Sequence, residues 1–230
     1  MCIAENYLAL EANIAEACRR SGRPREEVRL IAVTKYVEME RIDQAVRAGA
    51  REVGENRAQE LVRKMEYFDA AGVKKHLIGQ LQTNKVKYIL GKVELIQSVD
   101  RLELAHEISR LAAKQSIEQG ALVEVNIGGE AQKGGISPKA LPEFLSVVSA
   151  LPGIRVKGLM CIPPLVGEAD ARRYFAAMKR LFDQMAELCI PNVEMRELSM
   201  GMSGDYMAAI LEGATMVRVG TALFGARDKL

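Results

Sequence analysis

The sequence lacks the residue patterns of several common kinds of functional site. It has two histidines and four cysteines, and no two cysteines form a CxxC pair, so the spacing offers no zinc site and we expect no metal. No long uncharged apolar run is present that would span a membrane. The formal net charge is only +2, which argues against a dedicated nucleic-acid-binding protein.

The amino-terminal segment shows no targeting pattern either. It contains carboxylates and helical periodicity where a secretory signal would have a basic and then an apolar region. We therefore expect a cytoplasmic protein with reduced thiols. The arginines near the first turn, Arg19, Arg20, Arg23 and Arg25, are interpreted as part of a solvated loop. No heptad run or apolar stripe stands out, so a monomer is expected.

What the sequence does contain is an alternation of short apolar runs and longer amphipathic stretches, which follows an opening helix that ends near Gly22 and Pro24. The runs predict eight strands, at residues 30–34, 52–54, 76–79, 93–98, 122–126, 156–161, 193–198 and 216–219. The stretches between them predict helices, at residues 38–48, 57–68, 83–90, 101–119, 138–151, 168–188 and 203–212.

This alternation predicts parallel βαβ units. Eight of them without a linker-like tract favour one domain, residues 1–230, folded as a closed (β/α)8 TIM-type barrel with an extra amino-terminal helix. The alternative is an open doubly wound sheet. The strand count suits closure, and no GxGxxG follows the first strand, so the barrel is the preferred prediction.

Lys35 is the first candidate functional residue. It closes the apolar run at residues 30–34, which places an amine at the carboxyl end of a predicted strand. Active sites of α/β folds assemble at that edge, so Lys35 is a candidate nucleophile. The competing interpretation is an ordinary solvated lysine.

Two glycine-containing loops are candidates for phosphate binding. Residues 198–205, LSMGMSGD, follow the seventh predicted strand, and Gly220, Thr221 and Ala222 follow the eighth. Glycines, hydroxyls and backbone amides suit a phosphate, and barrels often bind phosphate between these two loops. Alternatively, Ser203 only caps a helix while Gly201 and Gly204 shape a turn.

Arg218 lies on the face of the eighth predicted strand opposite Val217 and Val219. A cation in that position needs a ligand or a structural salt bridge, and both remain open. Together with Lys35 and the phosphate loops it suits pyridoxal phosphate. A sugar-phosphate aldolase or isomerase is the alternative, with Glu55 and His76 available as acid or base.

Several segments resemble one family in consistent order, from about residue 28 to residue 227: IAVTK, VGENRAQE, HLIGQLQTNKVK, IQSVDR, VEVNIGGEAQKGGI, KGLMCIPP and ELSMGMSGDYMAAILEGATMVRVGTALFGAR. The family is that of the pyridoxal phosphate homeostasis proteins. The resemblance implies a barrel like the amino-terminal domain of alanine racemase, with pyridoxal 5'-phosphate carried by Lys35 as an aldimine. It also implies a role in intracellular homeostasis and delivery of this cofactor, with recipient enzymes as possible partners.

The resemblance further implies contacts at particular positions. The phosphate would be held by Ser199, Gly220 and Thr221, with Met200 and Ser203 nearby; Arg218 would face the pyridine nitrogen; and Asn56 and Asn126 would lie near the ring. Lys133 is either a second amine near the mouth or a solvated loop lysine.

Arginine at the ring nitrogen donates a hydrogen bond and leaves that nitrogen neutral, which weakens the electron sink. The sequence also ends at Leu230, without a stretch for the carboxyl-terminal β domain of the alanine racemases. We therefore expect a protein that binds the cofactor with little or no turnover. A racemase-like amino-acid enzyme is the alternative.

Overall fold

A computed structural model describes residues 2–130 and 132–226 of the chain, so the last matched residue of the family resemblance, Arg227, lies outside the described residues. Eight parallel strands close into a barrel in the order β1 to β8. They are β1 Arg29–Val33, β2 Glu52–Glu55, β3 Lys74–Leu77, β4 Leu95–Val99, β5 Gln119–Glu124, β6 Ile154–Met160, β7 Val193–Ser199 and β8 Met216–Val219. Strand β1 pairs with both β2 and β8, which confirms the predicted barrel and excludes the open sheet.

Helices connect the strands on the outside of the barrel. They are α1 Ile3–Arg20, α2 Met39–Ala48, α3 Ala58–Ala70, α4 Val86–Ile89, α5 Leu102–Lys114, α6 Leu141–Ser149, α7 Glu168–Glu187, α8 Tyr206–Leu211 and α9 Thr221–Phe224. The extra helix α1 packs against α2, α8 and α9. Its Asn6 and Asn13 side chains donate hydrogen bonds to the Leu223 carbonyl (2.9 Å) and the Tyr206 hydroxyl (3.1 Å).

Apolar side chains form two separate clusters. A large one fills the space between the strands and the helices and includes fully buried Phe68 and Phe175. A small one lies inside the barrel and consists of Ile31, Leu95, Leu122, Met160 and Met216. Burial of this apolar surface is the main favourable term in folding. The small inner cluster leaves room in the barrel interior for the buried polar side chains of the site.

The barrel is irregular where β5, β6 and β7 meet. The pairing register shifts on both sides of Gly158, between β5 and β6 and between β6 and β7. Gly158 has φ +149°, and a Cβ atom there would lie 1.9 Å from the Glu197 carbonyl oxygen. Only glycine allows the two strands to approach this closely.

Two predicted helices differ from the structure. The helix predicted at residues 101–119 ends at Lys114, and Gln119 instead begins β5. Ser116 adopts φ +53°, which breaks the helix, and the buried Gln119 side chain bonds backbone groups of Val93 and Gly91. The helix predicted at residues 83–90 is a 3-10 turn at Thr83–Lys85 followed by the single turn of α4.

The arginine cluster after α1 is not simply a solvated loop. Arg25 forms a bidentate ion pair with Glu11, at 2.8 to 3.0 Å, and Arg23 donates to the Ala214 carbonyl at 2.9 Å. Arg25 thus attaches the chain after α1 back to that helix, and Arg23 attaches it to the segment before β8. Within the described residues there is no helix long and apolar enough to cross a membrane, and no group of three metal-ligating side chains.

Candidate functional site

A cavity of about 240 Å³ opens at the carboxyl ends of the strands. Its lining includes Lys35 after β1, Asn56 after β2, Arg218 on β8, and residues of the two predicted phosphate loops. Those loop residues are Met202, Ser203, Gly204, Gly220 and Thr221. The structure thus brings together six of the predicted site residues, Lys35, Asn56, Ser203, Arg218, Gly220 and Thr221, from four places in the sequence.

The two loops form a cradle of backbone amides. The Ser203 hydroxyl oxygen accepts hydrogen bonds from the amides of Gly220 and Ala222, each at 3.2 Å, so it links the loops after β7 and β8. Within residues 2–130 and 132–226, the amides of Ser203, Gly204 and Thr221 donate to no protein group. Unpaired amides at the edge of a cavity are suited to an anion.

Gly201 shapes the first of these loops. It has φ +90°, and a Cβ atom would lie 2.6 Å from the Ala209 Cβ of helix α8. Glycine is required for this turn. Gly204 differs, because a Cβ there would meet no atom within 4 Å.

Arg218 is almost fully buried, with 3% of its surface exposed. Its guanidinium donates to the Ser199 hydroxyl oxygen at 2.6 Å and to the Cys161 carbonyl oxygen at 2.9 Å. No carboxylate of the described residues forms an ion pair with it, so the structural salt bridge left open by the sequence is not found. Burial lowers the pKa of Arg218 and raises the pKa of the Cys161 thiol to about 12. The guanidinium at the floor of the cavity is thus a cation that pairs with no carboxylate in the described part of the chain.

A chain of side-chain hydrogen bonds continues from Arg218 down through the barrel interior. The Ser199 hydroxyl donates to Gln97 Oε1 at 2.7 Å, and Gln97 Nε2 lies 3.3 Å from His76 Nδ1. His76 Nε2 in turn lies 2.9 Å from a carboxylate oxygen of Glu52 at the amino end of β2. The cavity floor and the opposite end of the barrel are therefore connected.

Two predicted phosphate contacts lie beneath the cavity. Ser199 and Met200 are fully buried and do not line it. The Ser199 hydroxyl is already used by Arg218 and Gln97. In the structure, this side chain orients Arg218.

A second cavity, of about 310 Å³, adjoins the first and shares Asn56, Ile78 and Ile162 with it. Its lining includes Glu124, the last residue of β5. Burial and the nearby charge of Asp100 raise the pKa of Glu124 to about 7, although Arg218 opposes the shift. Glu124 can therefore both give and take a proton near neutral pH.

Asn126 and Lys133 line this second cavity. The Asn126 side chain bonds the backbone of Glu130 and the Lys133 carbonyl, which folds the loop after β5. Lys133 is half-buried; its amine pairs with the Glu130 carboxylate at 2.5 Å and donates to the Pro163 carbonyl at 3.1 Å. It is a structural part of the loop and not simply a solvated lysine.

Glu55 and His76, the acid and base considered for an aldolase or isomerase, line neither cavity. Both are completely buried. Glu55 is paired with Lys64 at 2.7 Å, and His76 is enclosed in the barrel interior between Glu52 and Gln97. This arrangement removes the support for that alternative.

Three residues of this region were missed by sequence reasoning: Gln97, Glu124 and Lys64. Gln97 is a polar residue within the apolar strand β4, and Glu124 is the last residue of β5, at the same edge of the barrel at which Lys35 follows β1. Lys64 stands four residues after Glu60, a spacing that indicates a helical ion pair. These signals were present but not specific.

Comparison with known proteins gives a consistent assignment. A family model described as "Alanine racemase, N-terminal domain" matches residues 6–228. The "Pyridoxal phosphate homeostasis protein" of Aquifex aeolicus is 46% identical over 93% of this chain and 93% of its own. The protein of the same name from Pseudomonas aeruginosa is 40% identical over 98% of this chain and 96% of its own.

Solved structures show the same relationship. PipY of Synechococcus elongatus, in a structure described as having PLP bound, aligns with a TM-score of 0.82 at 34% identity over 97% of this chain and 100% of that one. Alanine racemase from Corynebacterium glutamicum is only 15% identical, with a TM-score of 0.70 over 96% of this chain and 61% of that one, and shows the fold alone. The fold, the strand-end lysine with its amide cradle, and the full-length matches agree that the chain belongs to the pyridoxal phosphate homeostasis protein family.

Proposed function

We propose that the protein binds pyridoxal 5'-phosphate in the 240 Å³ cavity, covalently through Lys35, and takes part in the intracellular homeostasis and delivery of this cofactor. The observation that carries the proposal is the convergence of Lys35, Arg218 and the amide cradle on one cavity. The names of the relatives and the PLP-bound PipY support it.

The cavity residues fit the chemical groups of this cofactor. The amides of Ser203, Gly204 and Thr221 can receive the phosphate, and the Ser203 hydroxyl lies between the two loops that carry them. Asn56 lines the same cavity on the side of β2, which supports a contact between its side chain and the ring. Ser199 acts indirectly, by holding Arg218.

Pyridoxal phosphate supplies an aldehyde that condenses with a primary amine with loss of one water. The Lys35 amine is the primary amine in the cavity. Arg218 can only donate hydrogen bonds, so it does not stabilise a proton on the pyridine nitrogen. The site is therefore suited to holding the cofactor more than to drawing electrons from a substrate, and we propose little or no turnover.

A racemase-like enzyme is the second candidate, and one observation favours it. Glu124, with a pKa of about 7, lines the cavity next to that of Lys35, where a proton-transfer group would be needed. Exchange of α-deuterium into amino acids in heavy water distinguishes the two functions. Exchange that depends on both Lys35 and Glu124 would establish the enzyme.

The change Lys35→Ala tests the binding function. The purified protein mixed with pyridoxal phosphate should show the near-visible absorbance of an amine-bound aldehyde, and borohydride should fix the added mass on Lys35. Both signals should vanish in Lys35→Ala. The matched control is Lys133→Ala, which should keep them; an unchanged absorbance band in Lys35→Ala would refute the proposal.

A further inference from the structure

Two side chains of α3 hold the backbone on both sides of Lys35. The Thr34 carbonyl, in the peptide group before Lys35, accepts a hydrogen bond from Lys64 Nζ at 2.7 Å. The Tyr36 amide, in the peptide group after Lys35, donates to Glu60 Oε1 at 2.7 Å. Two peptide planes with fixed directions determine where the Cβ of the residue between them points.

Lys64 is the centre of this arrangement. Its ammonium group has three hydrogens, and it has three acceptors: the Thr34 carbonyl, Glu55 Oε1 at 2.7 Å and Glu60 Oε1 at 3.3 Å. Lys64 is buried, although lysine is rarely so. Its amine is fully used in holding the strand end and the two carboxylates.

Glu60 stabilises an unusual backbone conformation. Tyr36 has φ +58°, the left-handed region that residues other than glycine seldom adopt. The amide of Tyr36 is held by Glu60, and the Arg57 guanidinium lies 5.7 Å from the centre of the Tyr36 ring. This tight turn directs the chain away from the barrel immediately after Lys35.

Glu55 completes the cluster from inside. It is fully buried, and its Oε1 accepts from both Lys64 and the Thr34 hydroxyl, each at 2.7 Å. Its other oxygen, Oε2, has no hydrogen-bond partner in the described part of the chain. A buried carboxylate with one unpaired oxygen is costly to maintain. Such local cost at the end of a strand that carries a site residue indicates a functional constraint.

We infer that Glu55, Lys64 and Glu60 are positioning residues, which fix the direction in which the Lys35 side chain enters the cofactor cavity. For the role of the Lys35 amine the inference rests on the proposed function. The positioning itself is a property of the protein without cofactor. The competing explanation is a cluster that contributes only to stability.

The opposite end of β1 offers a matched control. There Arg29 also bridges two carboxylates, at 3.6 Å to Glu52 and 2.6 Å to Glu197. The changes Lys64→Met and Arg29→Met thus each remove a cation shared by two glutamates of one barrel. Only the first cation contacts the backbone next to Lys35.

Two measurements on the cofactor-free protein separate the explanations. Hydrogen exchange of the Tyr36 amide should accelerate by at least about tenfold in Lys64→Met, because its acceptor Glu60 loses its anchor. The rate at which trace acetic anhydride acylates Lys35, relative to exposed Lys139, should change by about threefold or more in the same variant. Arg29→Met should leave both quantities unchanged even if it lowers the melting temperature equally. Equal effects of the two variants would overturn the inference.

Milder changes keep the test valid if Lys64→Met does not fold. Glu60→Gln retains an acceptor oxygen and should preserve both quantities, whereas Glu60→Leu should alter them; Glu66→Leu, on the same helix, is the control.

In the cofactor-loaded protein, Glu60→Leu should also shift the pH midpoint of the visible absorbance. Absorbance that persists in Lys35→Ala would refute the proposed function but leave the exchange results interpretable. Normal exchange and acylation in Glu60→Leu would refute the positioning role alone.

Discussion

The two ends of the barrel shift the pKa of glutamate side chains in opposite directions. Glu52 begins β2, and although burial would raise its pKa, the hydrogen bond from His76 and the charges of Arg29 and Lys74 lower it. Glu55 ends the same strand, and its pKa is raised because burial outweighs Lys64 and Thr34. Glu124, at the end of β5, is raised to about 7. At one end carboxylates are stabilised as anions, and at the other they are not.

This difference distinguishes the end of the barrel that contributes to stability from the end that forms the candidate site. Barrel enzymes place their sites at the carboxyl ends of the strands, while residues at the amino ends contribute to stability. Here the amino end joins Arg29, Glu52 and Glu197 in mutually satisfied pairs. The carboxyl end has a buried guanidinium, amides without a partner among the described residues, and a glutamate with a raised pKa, all around two adjoining cavities.

The largest expected effect comes from Glu124→Gln. Because the folded-state pKa of Glu124 is about 7 and the unfolded value is near 4.5, this residue destabilises the parent as pH rises through that window. The variant should therefore be more stable than the parent at pH 8, by at most about 3 kcal/mol, and equal to it below pH 4. Urea unfolding at a series of pH values measures this. If the difference in stability between the variant and the parent did not change with pH, the pKa of Glu124 would not be raised by folding. The contrast between the two ends of the barrel would then be wrong.

The same substitution at the other end should have the opposite sign. The pKa of Glu52 is lowered on folding, so its stabilising contribution is present above the unfolded value of 4.5 and is lost as pH falls through the folded value. Glu52→Gln should therefore cost about 1 kcal/mol at neutral pH and nothing near pH 2. The same unfolding series provides the measurement. Cofactor absorbance is the control and should not change, because a glutamine amide oxygen can still accept the hydrogen bond from His76 that ends the chain to the cavity floor. A stabilised Glu52→Gln at pH 8 would contradict the comparison.

The smallest expected effect belongs to one of two glycines in the phosphate loop, Gly204, and the other glycine, Gly201, serves as its comparison. Gly201→Ala should lose about 1 to 3 kcal/mol, because it combines φ +90° with a 2.6 Å clash with Ala209, and should weaken cofactor binding with it. Gly204→Ala has open space for its Cβ and should stay within about 0.5 kcal/mol of the parent. Thermal melts and cofactor titrations of the pair test whether the cradle depends on this turn. Equal behaviour of the two variants would show that it does not.

The fold was largely predictable from the sequence. The eight apolar runs each correspond to a strand, and the chain closes as their number suggested. The errors lie at element boundaries, as at residues 101–119, where Ser116 takes a positive φ that side-chain periodicity does not reveal. Gln119 instead begins β5, where its side chain bonds backbone groups distant in sequence.

The sequence identified only those site residues that a strand end or a glycine loop marks by itself. Lys35, Arg218 and Ser203 follow from strand ends and glycine loops, and they line one cavity. The roles of Ser199 and Lys64 depend on partners 102 and 30 residues away, Gln97 and Thr34. Such contacts are set by closure of the barrel and have no local pattern. Glu124 was not identified from the sequence, because its raised pKa depends on burial and on Asp100, and the local sequence shows neither.

With a neutral His76 ring, the hydrogen-bond chain through the barrel interior permits only one arrangement of its protons. Arginine can only donate and an ionised carboxylate can only accept, so donation must run from Arg218 through Ser199, Gln97 and His76 to Glu52. This direction sets the orientation of the Gln97 amide and places the imidazole hydrogen of His76 on Nε2. The hydrogen bonds of the barrel interior therefore all run in one direction. A proton added to His76 Nδ1 would require the Gln97 amide to flip, and Gln97 bonds Ser199, the residue 102 positions later that holds Arg218.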